Sequence, residues 1–411
     1  MIILKVRISW KRKTTFIIVL AVITLTNLLL ITSQVKRYAE LVHWPTHEWN
    51  LTDPSDQGVN NSTIYEMYDY IETNSLNIHS VSIVRNGFLI HEEYLSGFSL
   101  RSEKSYGPEP DYYGTPVVIN GSLHVQFSTT KTIIALLIGI VIDKGYIDNV
   151  SQTFSSFFPT LTYSSSYKED ISIEHLLTMA SGIYGDSRPE FAWDQTIQEI
   201  LNPALYSIPG TTFEYSSAST HLLSALINKS TGQKTSDFAG QYLFDPIGIS
   251  QEDWYWQENS ENICFGGYGL YLTPQAMSRI GLLMLNIGTW NDTQIIPENW
   301  MLELGSPQFT AYYGYLVWMN KYGYSTVGLL GQNIVLIPAH NLTVIFTAAI
   351  YSGSASSEYG YIIDNFIIAA IKGDGTPDPV IPGYSLLVFG TLMILGILFS
   401  AKRKKSKLLT H

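Results

Sequence analysis

Two charge-free apolar runs, Thr15–Ser33 and Tyr384–Ala401, flank a chain whose middle is patterned quite differently. Each run is about long enough to span hydrocarbon, and each has a basic segment on its outer side: residues 1–14 carry five Lys or Arg, and residues 402–411 carry five more. Basic residues hold to the cytoplasmic side of a span, so the pattern predicts two membrane helices, 15–33 and 384–401. Both tails would then lie inside, and everything between the helices outside. A cleavable signal peptide is the alternative reading of the first run. Between the helices, 34–75 is a polar stalk leading into a first helix, 76–372 is the main domain, and 373–383 is a Pro/Gly/Asp linker.

Within the main domain the period of the pattern changes along the chain. Two β-rich runs flank Asn86-Gly87, the signature of a tight hairpin. A helix predicted from about Thr129 to Lys144 is apolar nearly all round and therefore central and buried. Helices and loops fill 150–300, strands return at 312–319 and 324–349, and an apolar-striped helix over 356–372 closes the domain. Strands at both ends with helices between them predict an α+β fold. Its antiparallel sheet draws on both ends of the domain and is flanked by helices, with a mostly helical subdomain inserted.

Charge narrows the partners. All 35 Asp and Glu lie between the two apolar runs, together with 14 of the 24 Lys and Arg, giving that portion a formal charge of about −21. Such a field disfavours nucleic acid. Cys264 is the sole cysteine, so an internal disulfide is excluded and the core must be held by packing. Eight Asn-x-Ser/Thr triplets, at Asn50, Asn60, Asn61, Asn120, Asn149, Asn228, Asn291 and Asn341, fit a glycosylated surface protein. With 45% hydrophobic residues the chain can bury a large core.

Candidate chemistry begins with Ser-x-x-Lys, which occurs at Ser33/Lys36, Ser128/Lys131 and Ser165/Lys168. Only Ser128 stands at the start of a buried helix, where i to i+3 spacing puts hydroxyl and amine on one face. The helix N-terminus favours an oxyanion there. An apolar setting favours the neutral amine, which can accept the serine proton. The plainer reading is a helix-capping serine beside a snorkelling lysine. Tyr215-Ser216-Ser217 follows the Pro209-Gly210 turn, just before a helix expected to begin at about Ser219. There a phenol projects into a cleft, and a nearby ammonium would favour its phenolate for proton relay. Its plainer reading is a loop aromatic.

The order and surroundings of these motifs resemble the serine β-lactamase and penicillin-binding superfamily, in its class C-like branch of esterases, D-aminopeptidases and 6-aminohexanoate-dimer hydrolases. The resemblance covers about 78–372 and is carried by FSTTKTIIALLIGIVIDKGYID, ISIEHLLTMASGI, PGTTFEYSSASTHLLSALINKSTG, GGYGLYLTPQAMSRIGLLMLNIGTWNDTQIIPENWM and GLLGQNIVLIPAHNLTVIF. It implies a sheet flanked by helices and a helical subdomain. It also implies Ser128 as the acylated serine, Lys131 as its helix partner, and Tyr215 as the residue assisting protonation and deacylation. Ser217 falls where the family carries Asn or Ser. The family's Lys-Thr-Gly or His-x-Gly strand edge is here Leu329-Leu330-Gly331-Gln332, which implies an oxyanion hole from the amides of Ser128 and Gln332. Gly331 would allow close backbone approach to a substrate. Leu329 replaces a carboxylate-binding side chain, so the edge implies neutral or hydrophobic substrates over β-lactams and peptidoglycan, unless an arginine such as Arg279 enters the cleft.

No metal-ligand cluster or phosphate loop is present in the sequence, so no cofactor is expected. His175 and His221 fall in helical apolar patterns and read as structural or solvated; Trp193 and Tyr268 are candidates for the cleft wall. Together these features predict a membrane-anchored, extracytoplasmic serine hydrolase that acts on a small-molecule or peptide ester or amide. The competing reading is a non-catalytic surface receptor on the same scaffold.

Overall fold

Asn60 opens the first helix, α1 (Asn61–Thr73), by accepting the Ser62 amide at 3.1 Å, and the helix turns Ile64, Met67 and Ile71 inward. The helix read as the end of the stalk thus packs into the core of the domain. The computed structural model describes residues 44–45, 48–97, 117–118, 123–163, 165–189, 192, 194–350 and 355–371, all within one compact unit, His43–Thr376. The two apolar runs at 15–33 and 384–401 lie outside the described residues. Among the described residues, no helix is long and apolar enough to cross a membrane.

After α1 the chain forms the predicted hairpin, β1 (Ile78–Arg85) and β2 (Phe88–Tyr94). Asn86 and Gly87 both take positive φ, 54° and 82°, as a primed two-residue turn requires. A short strand, β3 (His124–Val125), delivers the chain to α2 (Thr129–Asp143), in which Thr129–Val141 are all buried. Helix α3 (Ser217–Thr231) packs beside α2. Strands β4 (Trp254–Trp256) and β5 (Leu270–Leu272) join β3 in a small sheet of order β3-β5-β4, and α4 (Pro274–Leu285) follows.

The main sheet is completed from the far end of the domain by β6 (Trp318–Asn320), β7 (Gly323–Ser325), β8 (Asn333–Ile337) and β9 (Leu342–Ala348). Its order is β6-β7-β8-β9-β1-β2, antiparallel throughout, with β1 paired to β9 from Ile78 opposite Ala348 to Arg85 opposite Leu342. Alternation sends Val81, Ile83, Val344 and Phe346 toward α1 and the closing helix α5 (Ala355–Ile362), while α4 covers the other face. Every residue of β8 and β9 is therefore buried. The α+β architecture matches the expectation.

Three details differ from the sequence reading. Residues 312–317 form turns around Leu316 (φ 58°) instead of a strand, and the first of the two strands expected over 324–349 is broken between β7 and β8, while the short turn expected at 338–341 before β9 is present. The Thr326 hydroxyl, in place of a backbone carbonyl, takes the Ile334 amide at 2.9 Å, and the αL residue Leu330 (φ 63°) then turns the chain out of the ladder. Helix α3 starts at Ser217, two residues earlier than expected, because Ser216 accepts the Ser219 amide at 3.2 Å and so becomes the cap.

Candidate active site

The start of α2 is built to hold Ser128 outward. Gln126 N donates to Leu270 O at 2.7 Å, tying the end of β3 to the small sheet. Phe127 then takes φ +44°, a conformation that costs a bulky residue on the order of 1–3 kcal/mol and persists only where the surroundings enforce it. Ser128 comes next, in helical conformation but making no side-chain cap bond. The capping reading is therefore excluded: its hydroxyl is free for another partner.

That partner is Lys131, one turn on, with its Nζ 3.0 Å from Ser128 Oγ. The lysine is 1% exposed, and the same amine donates to Ser217 Oγ and to Gly267 O, both at 2.8 Å. Snorkelling is excluded as well. Burial pulls the Lys131 pKa down from 10.5 to about 8, opposed by the negative charge of Asp186. At pH 7 roughly one amine in ten is then neutral, some 300-fold more than for a lysine in water.

Tyr215 closes the group from α3's side. Its ring sits 4.8 Å beneath the Lys131 ammonium, and its hydroxyl hydrogen-bonds with Ser128. Burial first, and then Asp186, drive its pKa well up. Burial therefore favours a neutral phenol over the phenolate expected beside an ammonium, and outweighs the hydrogen bond to Ser128 that pulls the other way. In this state Tyr215 is a proton donor. Ser217, at the first turn of α3, is buried: its Oγ donates to Asp186 Oδ2 at 2.6 Å, and its amide donates to Asp186 Oδ1 at 2.5 Å.

The strand edge lies across the start of α2. Thr129 Oγ1 donates to Gln332 O at 2.8 Å and so pins β8's entry to the nucleophile's turn. The amides of Ser128 and Gln332 find no acceptor among the described residues. Gly331 owes its identity to the far side: at φ 108° an added Cβ would lie 2.4 Å from the Tyr359 hydroxyl, which donates to Gly331 O at 2.7 Å. Leu329 is 57% exposed at the rim.

Around Tyr215 the rim is aromatic. Its ring lies 5.7 Å from Trp318, which stacks on Tyr312 at 6.3 Å, while Phe213 meets Tyr312 edge-on at 5.5 Å. A narrow recess of about 10 Å³ is bordered by Ser217, Ala218, His221, Phe265 and Tyr268. Tyr268 lines this recess with Ser217, whereas Trp193 lies outside the described residues.

The remaining candidates fall elsewhere. Arg279 is buried over Trp49 and gives its guanidinium to the carbonyls of Pro45 and Ile247, so it does not supply the missing cation. His175 closes a capping box with Ser172, and His221 is buried against Asn259 with its pKa pushed down to about 4. Burial raises the Cys264 thiol to about 12. Among the described residues no group of His, Cys, Asp and Glu could hold a metal. Two participants escaped the sequence reading, Asp186 and Gly267. Gly267 stood inside a quoted block: an added Cβ would lie 2.5 Å from that of Ser217, so only glycine lets its carbonyl reach Lys131. Asp186 sits in an irregular loop where no periodicity marks it.

Comparison with known proteins places the fold. A family described as Beta-lactamase matches residues 80–362. A candidate 6-aminohexanoate-dimer hydrolase from Bacillus anthracis superposes with a TM-score of 0.60 at 19% identity, covering 80% of this chain and 87% of its own. A penicillin-binding protein homologue from Caulobacter crescentus gives 0.60 at 14% identity, covering 76% and 99%. A family VIII carboxylesterase gives 0.59 at 14%, covering 75% and 96%. No curated protein matches the sequence. At these identities the superpositions speak for the fold.

Proposed function

The chain belongs to the beta-lactamase family, a serine hydrolase by that membership, and we propose that it cleaves neutral, hydrophobic esters or amides through an acyl-enzyme on Ser128. One observation carries the proposal: a fully buried Lys131 with a pKa of about 8 holds its amine 3.0 Å from a hydroxyl that caps nothing. In acylation Ser128 Oγ forms the bond to the substrate carbonyl carbon while its proton passes to Lys131. The amides of Ser128 and Gln332 receive the developing oxyanion. Tyr215, held neutral, then gives its proton to the departing alkoxide or amine, and the Lys131 ammonium can restore it. Water, activated by the same pair, releases the acyl group as an acid.

Substrate class follows from the walls. Among the described residues the cation set on the nucleophile is Lys131 itself, while Leu329, Tyr312, Phe213 and Trp318 offer apolar surface. A carboxylate placed against Leu329 would lose its water without gaining a charged partner. Short neutral esters should therefore be hydrolysed faster than penicillins, by roughly one to two decades in kcat/KM. Leu329→Lys should narrow that gap; equal rates on both substrates with no response to the substitution would sink the proposed specificity.

The proposal extends to location. The apolar runs 15–33 and 384–401, with their basic outer flanks, support a domain anchored at both ends and held outside the membrane. Of the glycosylation triplets, Asn149 and Asn291 are exposed, whereas Asn341 is 3% exposed and bonded to Asn86. Protease treatment of intact cells should release the domain; a requirement for permeabilisation would overturn the topology.

A further inference from the structure

The surroundings of Lys131 fix a direction as well as a distance. An amine nitrogen has three tetrahedral positions beyond its own carbon, and here they face Gly267 O at 2.8 Å, Ser217 Oγ at 2.8 Å and Ser128 Oγ at 3.0 Å. Gly267 O is a carbonyl and can only accept. A serine hydroxyl ordinarily plays either part, so Ser217 alone could turn its proton toward the amine and occupy the lone pair. Asp186 removes that freedom. Its Oδ2, 2.6 Å away, can only accept and therefore takes the Ser217 hydroxyl proton, while Oδ1 takes the Ser217 amide at 2.5 Å and keeps the carboxylate from rotating. Ser217 is left as an acceptor toward Lys131. With two positions obliged to carry N–H, the lone pair of the neutral amine has one direction left, toward Ser128.

We propose that Asp186 is a positioning residue that aims the Lys131 lone pair at the Ser128 hydroxyl by committing the proton of Ser217. The inference rests on the reading of Ser128 as nucleophile and Lys131 as its base. It adds a second effect through charge. Asp186 is the charged group that opposes the desolvation of Lys131, and the phenols facing this cluster, Tyr215 and Tyr313, are both driven upward by burial and stay uncharged. Removing the carboxylate must therefore lower the Lys131 pKa further while releasing the lone pair from its aim.

Asp186→Asn separates the two effects. The amide oxygen still takes the Ser217 N–H, so the NH₂ faces Ser217 Oγ and donates to it. The hydroxyl proton then swings toward Lys131 and competes for the lone pair. Acylation of Ser128 by a fluorophosphonate, followed in single turnovers across pH, should have a plateau rate about 10- to 100-fold below wild type. Its ascending limb should move to lower pH, and KM for a neutral ester should change little. In a Ser217→Ala background the same substitution should cost no further plateau rate yet still shift the limb. Circular dichroism of each variant reports folding independently. A purely structural role would lower the folded fraction and leave the limb in place. Wild-type plateau and limb in Asp186→Asn, or losses that multiply in the double variant, would overturn the inference alone. An unlabelled Ser128 in the wild type would instead remove the underlying reading, and the inference with it.

Discussion

Two Ser-x-x-Lys segments of this chain share spacing and end in equally buried lysines, yet they do different things. Lys131 and Lys168 are each 1% exposed, and burial lowers both pKa values. Lys131 lies in a helix of 15 residues and reaches two serine hydroxyls and a carbonyl. Lys168 lies in a helix of four residues and gives its amine to Leu201 O at 2.5 Å and Pro203 O at 2.6 Å. Ser165, its partner in the motif, is exposed. Lys168 thus caps the end of the helix Ile197–Leu201, a structural task. Burial alone does not make a base. What separates the two is whether the amine faces a group that must give up a proton.

The largest effect that can test this contrast is on the serines. Ser128→Ala should abolish fluorophosphonate labelling and lower ester hydrolysis by roughly three to four decades, while Ser165→Ala should leave both near wild type. Mass spectrometry of the labelled protein checks the site. A label on Ser165, or labelled activity surviving Ser128→Ala, would break the comparison at its root.

Next in size is the pH response of the base. With a Lys131 pKa of about 8, kcat/KM should climb as pH rises through that value and level off above it, because the neutral amine is the reactive form. Lys131→Met should remove the limb and about three decades of rate. A limb near 8 that survives Lys131→Met would belong to another group.

The sequence showed the larger part of this arrangement and missed its finer part for identifiable reasons. Asn86-Gly87, the apolar run of α2 and the paired β8 and β9 segments are local signals, since each states a backbone preference within a few residues. Ser128, Lys131 and Tyr215 stood out because their motifs fell at helix starts in the order of a known family, and the structure brings the three together. Asp186 was not, because its place is set by tertiary contact alone: it meets Ser217 across 31 positions of chain. The state of Tyr215 was misread for a related reason. Neighbouring charge can be guessed from sequence, whereas the depth of burial that overrides it cannot. The turns at 312–317 read as strand since Tyr, Leu and Val suit a pleated surface, yet here they pack as loop side chains, with Tyr313, Tyr315, Leu316 and Val317 all buried.

The smallest expected effect on catalysis completes the comparison. Lys168→Met keeps volume and apolarity but leaves the carbonyls of Leu201 and Pro203 without their donor. An unsatisfied buried carbonyl costs about 1–3 kcal/mol, but relief from desolvating an amine offsets part of this, since burying a charge is itself unfavourable. A net loss of about 1–3 kcal/mol is expected, visible as a fall of a few degrees in Tm. The segment around Tyr206 and Ile208, which follows those carbonyls, should become more open to proteolysis as the cap is lost. At a temperature where the variant is folded, its kcat/KM and its pH limb should match wild type. A limb that moved with Lys168→Met would mean that the two lysines are coupled, and that the second motif serves the first instead of the fold.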